Sequence, residues 1–202
     1  MPVNKIWNTG VDDNGTLLHR RSVDPHWKLI QGPNVGTTPQ PVYVVDDQSS
    51  GGNYFTQTDS LWVWAEANAG AALNTLYVFQ TEFLLDISFK THWLQIAGQW
   101  GADNFGYLTI DSMPPPADAV TGEVTLPPGM VLSNFNQAHY FSISQAHRLS
   151  QSHWRLTEGR HTLEVSVFNE GKSANMNPAG FNLSVSLIKN PILLPVQGIQ
   201  VP

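Results

Sequence analysis

Eight stretches of this 202-residue chain alternate apolar and polar side chains with a period of two, and most gaps between them carry Gly, Pro, Asn or Asp. They are Val42–Val45, Ser60–Ala65, Leu76–Ile87, Trp93–Trp100, Gly106–Asp111, Tyr140–Ser144, His161–Asn169 and Phe181–Ile188. A strand points successive side chains to opposite faces, so the pattern predicts strands with one covered face. Leu163, Val165 and Val167 share one face, as do Phe181, Leu183, Val185 and Leu187. Both stripes are expected in the core, because an apolar strand face needs a buried partner.

Helical spacing is confined to Ile143, Ala146, Leu149 and His153, which predicts at most one short helix, or an irregular crossover, over Ser144–Leu156. The proline-bearing stretches Gly32–Pro41, Met113–Ala119 and Leu126–Gly129 read as connections or edges, since proline lacks the ladder donor. The expected architecture is all-β: one antiparallel β-sandwich of the jelly-roll type over residues 1–190. It is followed by a Pro-rich arm at 191–202. That arm is apolar and uncharged, unlike a solvated tail, and two placements stay open. It can wrap its own domain, or it can dock Ile192, Leu193, Leu194, Val196, Ile199 and Val201 on partner subunits of a homo-oligomer.

Charge narrows the partners. Ten Lys and Arg against sixteen Asp and Glu give a net charge of −6, and Arg20–Arg21 is the only basic doublet. Nucleic acid is therefore not expected as a partner. No run approaches the roughly 20 apolar residues of a membrane span. Met1–Lys5 is not followed by an apolar stretch, so no signal peptide is expected. With no cysteine, disulfides, thiolate metal sites and thiol nucleophiles are excluded.

Nothing reads as a catalytic motif. There is no Gly-x-Ser-x-Gly elbow, His-Glu-x-x-His helix, Walker loop or Gly-x-Gly-x-x-Gly fingerprint. The carboxylates a glycosidase would pair are scattered at Glu66, Glu82, Glu123, Glu158, Glu164 and Glu170. His139, His147 and His153 lack a ligand spacing, so no cofactor is expected. Asp12, Asp13 and Asn14, before Gly15, offer hard oxygens to a calcium ion, but the same residues suit an Asx turn.

Aromatic residues carry the binding candidates. Trp62 and Trp64, two apart, share a strand face and suit the core; Trp93 and Trp100, seven apart, face opposite ways. Trp100 beside Asp103 and Asn104 has the makings of a sugar site: an aromatic platform with polar groups for the hydroxyls. His26 and Trp27 extend the candidate set. Turn chemistry explains Asp103 and Asn104 as well, and Asp24 before Pro25 suits a loop lock built on backbone donors.

Several blocks taken in order carry a resemblance. They are Asn8-Thr9-Gly10-Val11-Asp12, Val23-Asp24-Pro25-His26-Trp27, Phe83-Leu84-Leu85-Asp86, Ala97-Gly98-Gln99-Trp100-Gly101-Ala102-Asp103-Asn104, Leu156 to Leu163, and Asn177-Pro178-Ala179-Gly180-Phe181. Together they resemble the sandwich modules of bacterial secreted surface proteins, including those with PEP-CTERM sorting tails. They are also similar to the galactose-binding-like sandwiches appended to glycoside hydrolases. In architecture the chain resembles a phage decoration or tail-adhesin protein. The resemblance implies a non-catalytic, surface-exposed adhesive or structural protein, on a virion or outside the cell, or alternatively a carbohydrate-binding module.

Overall fold

The computed structural model describes residues 5–45, 54–86, 92–128, 134–144, 156–171 and 179–191. The described residues form eleven strands: β1 (Val23–Gln31), β2 (Gln40–Val44), β3 (Val63–Trp64), β4 (Thr75–Leu85), β5 (His92–Asp103), β6 (Phe105–Ile110), β7 (Val120–Gly122), β8 (Thr125–Leu126), β9 (His139–Ser144), β10 (Gly159–Asn169) and β11 (Gly180–Pro191). The one described helical piece is a 3₁₀ turn at Ala117–Ala119. The segment expected to hold a short helix falls, for residues 145–155, outside the described residues, as does the expected arm apart from its first residue, Pro191, which ends β11 opposite His92.

All strands pair antiparallel in a single sheet of order β7-β9-β5-β11-β3-β2-β1-β4-β10-β6-β8. The sheet curls strongly. Phe181 of β11 lies 4.7 Å from Phe79 of β4 and 5.4 Å from Trp27 of β1, ring centre to ring centre. Three strands separate β11 from β4 in the ladder, so the contact closes the inner face around one core. Both predicted stripes point into it: Leu163, Val165, Val167, Phe181 and Leu183 are fully buried, Val185 nearly so, and Leu187 packs at the margin. Trp62 and Trp64 are buried as expected.

Two connections set the geometry that matters for binding. The first is Asn104, the single residue between β5 and β6. These strands are not sheet neighbours, so the chain crosses there from one flank of the curl to the other. The second is in β1, which carries an irregularity between Asp24 and Lys28 where its pairing with β2 shifts. Pro25 sits in that gap, where no ladder donor is required. The Asp24 carboxylate supplies the missing acceptor: it takes N–H bonds from Gly10 at 2.6 Å, His26 at 2.8 Å and Trp27 at 3.1 Å. Asp24 is the expected lock, set within a strand rather than a loop.

Candidate functional site

The inner faces of β5, β9 and β11 are filled with Leu94, Ile96, Trp100, Phe141, Ile143, Phe181 and Leu183. Alternation therefore turns Gln95, Ala97 and Gln99 of β5, Tyr140, Ser142 and Ser144 of β9, and Ser184, Ser186 and Ile188 of β11 outward. Across the ladder these form rows. Ser184 pairs Gln99, which pairs Tyr140; Ser186 pairs Ala97, which pairs Ser142, which pairs Thr121 of β7. The small side chains leave a groove of about 490 Å³ along this face. Tyr140 stands beside it with 70 % of its surface exposed, more than any other large apolar residue among the described residues.

Polar groups in the groove are held in place. Gln95 Nε2 donates to Ser142 Oγ at 2.7 Å, and Ser184 Oγ donates to Asp59 Oδ2 at 2.7 Å. The lining is Ala, Gly, Gln, Thr, Tyr, Phe, Ser and Ile, with no charged residue among them. Such a surface offers hydroxyl and amide hydrogen bonds and one aromatic face, and suits a neutral, hydroxyl-rich ligand.

The residues expected to form a sugar site lie elsewhere. Trp100 is completely buried, with its indole N–H donated to the Glu123 carbonyl at 2.7 Å. It cannot serve as an exposed platform, because its phase in β5 is that of Leu94 and Ile96, which point inward. Asp103 is buried, accepts the Tyr54 hydroxyl at 2.6 Å, and is pushed up to about 6 by burial, with the Tyr54 bond pulling the other way. Asn104 is spent on the crossing. Its N–H donates to Phe168 O, its side-chain oxygen accepts from Glu170 N, and its carbonyl accepts from Asn134 Nδ2. Turn and corner chemistry accounts for both residues.

Trp27 is buried against Phe181 and donates its indole N–H to Trp7 O at 3.2 Å. His26 stacks on Trp7, with ring centres 3.9 Å apart and planes 2° from parallel. Its Nε2 is 3.6 Å from Asp13 Oδ1, too long for a hydrogen bond. Among the described residues, no hydrogen bond, ion pair or ring contact joins His26 or Trp27 to Trp100, Asp103 or Asn104.

Asp12 Oδ1 accepts from Asn14 N at 2.8 Å and Thr16 N at 2.9 Å, the Asx turn expected of this sequence. Those bonds hold its carboxyl below the ordinary value. Among the described residues, no three His, Asp or Glu side chains gather as a metal site. No described helix is long and apolar enough to cross a membrane.

An exposed aromatic side chain was readable one strand over from Trp100, in β9. In His139–Ser144, Phe141 and Ile143 take the core phase, which leaves Tyr140 outside. The pairing of Tyr140 with Gln99 comes from the fold alone. In comparisons with known proteins the chain matches no family model, no curated protein and no solved structure.

Proposed function

We propose that this chain is a non-catalytic adhesive module, a jelly-roll sandwich of the galactose-binding-like kind, that holds a neutral glycan on the outer face of β7, β9, β5 and β11. The observation that carries this reading is Tyr140, 70 % exposed beside a groove of small uncharged polar residues. The C–H face of a sugar ring packs on the phenol, and Gln99, Ser142, Ser186 and Thr121 exchange hydrogen bonds with its hydroxyls. The uncharged lining favours neutral sugars over uronates or phosphates.

In this reading the module is displayed on a virion or cell surface, and the arm beyond Asn190 secures it to partner subunits. The edges are poor docking sites, because β7 has three residues and β8 two. Co-sedimentation with insoluble neutral polysaccharides tests the glycan role: the wild-type chain should pellet and Tyr140→Ala should stay in solution. Equal pelleting of both rejects the assignment to this face. Light scattering on the full chain and on a form ending at Asn190 tests the arm, which should be oligomeric only when the arm is present.

A further inference from the structure

A pocket of about 330 Å³ lies where the sheet meets two connections, residues 32–39 between β1 and β2 and residues 65–74 between β3 and β4. Leu29 and Tyr77 form its floor, and both take the phase of the core residue Phe79. The Tyr77 hydroxyl oxygen accepts from Ala72 N at 2.8 Å, which ties the second connection to that floor. Pro33, Val35 and Pro41 supply apolar walls. The rim is open to a guest: Asn34, Gln40 and Glu66 are exposed, and Tyr43 is half-buried.

Glu66 is the only charged residue that lines this pocket. Among the described residues, no side-chain donor or cation is paired with its carboxylate. The connection nevertheless holds that side chain in place. Ala69 N donates to Glu66 O at 2.9 Å, Gly70 N donates to Asn68 Oδ1 at 2.9 Å, and Ala69 takes a left-handed φ of 61°. Gly70 is thereby folded against the carboxylate, where an added Cβ would come within 2.9 Å of Glu66 Oε2. The charge is felt at the floor. Burial pushes the Tyr77 hydroxyl above its ordinary value, the Ala72 N–H pulls it back, and the Glu66 charge adds to the rise. Gln40 donates Nε2 to Thr38 O at 2.9 Å. A carbonyl oxygen only accepts, so that bond fixes the carboxamide and leaves Gln40 Oε1 as an acceptor.

We propose that this pocket is a binding site for a primary ammonium group on a short carbon chain. Such a group brings a positive charge and three N–H donors. The Glu66 carboxylate and Gln40 Oε1 accept from it, and Asn34 adds a carboxamide oxygen at the rim. Tyr43 meets a cation favourably with either its ring face or its hydroxyl oxygen. The carbon chain lies against Pro33, Val35 and Pro41. An anion would face the Glu66 charge with no lysine, arginine or histidine in the lining to offset it. A calcium ion is poorly served by one carboxylate, and among the described residues no three His, Asp or Glu side chains gather. The same ammonium chemistry belongs to a free diamine and to a lysine side chain of a partner protein.

Amide NMR titration with cadaverine and with Nα-acetyl-L-lysine methylamide tests the site. Salt at about 150 mM screens the general pull of a chain with net charge −6. At least one amine should shift the amides of residues 34–43 and 66–72 saturably, in the wild type and in Tyr140→Ala alike. The tighter of the two probes names the source of the group. Glu66→Gln changes an exposed side chain and should keep the fold, yet weaken binding by about tenfold to a hundredfold. No saturable shift with either amine overturns the proposal. Binding by Glu66→Gln within about twofold of the wild type overturns it too, and so does equally tight binding of tetramethylammonium, which has no N–H to donate.

Discussion

The Tyr54 hydroxyl donates to the Asp103 carboxylate at 2.6 Å, and both side chains are buried. Burial pushes Asp103 up to about 6 in the folded chain, against 3.8 for a free aspartate. Between those values the native state binds more protons than the unfolded state, so stability falls as pH rises from about 4 to about 6. The loss approaches about 3 kcal/mol and then levels off. Asp24, also raised by burial, acts in the same direction. Asp103→Asn keeps an acceptor for Tyr54 and removes the charge. It should be more stable than wild type at pH 8 and show a flatter profile from pH 4 to 6. Urea titrations across that range would contradict this if the two profiles are parallel.

Asp24 has a different task. Its carboxylate takes three backbone donors where the β1 ladder is interrupted. Asp24→Ala should cost about 2–4 kcal/mol in urea unfolding, because buried N–H groups lose their acceptor. Asp24→Asn, which keeps one oxygen, should recover part of that. A cost for Asp24→Ala within about 0.5 kcal/mol, the range of ordinary surface changes, would rule out the lock.

Trp100 and Tyr140 should separate cleanly when truncated. Trp100→Ala removes a fully buried ring and its hydrogen bond to the Glu123 carbonyl, for an expected loss of about 3–5 kcal/mol. Tyr140→Ala removes an exposed ring and should leave stability within about 0.5 kcal/mol. Similar melting temperatures for the two variants would contradict their placement.

Calcium should not stabilise the chain through Asp12, whose Oδ1 is already committed to Asn14 and Thr16. Tm should agree within about 1 °C in excess calcium and in EDTA. A larger rise with calcium that disappears in Asp12→Asn would show the Asx turn doubling as a metal loop.

The long strands announced themselves in the sequence because their inner faces are unbroken apolar series, as in Leu163, Val165 and Val167. β1 did not, since Pro25 and the polar Asp24 mimic a loop; only the fold shows the Asp24 side chain standing in for the ladder. β7 and β8, at three and two residues, are too short to display any period. The candidate site left a weaker trace in the sequence. A tryptophan beside a polar turn suggests a platform, yet the phase of Leu94 and Ile96 already placed Trp100 inside. Tyr140 carried its own outward signal, but the neighbours that make it a groove come from β5, β7 and β11, distant in the chain.

Binding of a neutral glycan to the Tyr140 face can be measured on a glycan array probed with three chains: wild type, Tyr140→Ala, and Ser186→Arg, which places a long charged side chain in the groove. The wild type should bind a restricted set of neutral glycans, and both variants should lose that binding with Tm unchanged. Binding by wild type that persists in both variants, or no binding to any neutral glycan, would contradict it.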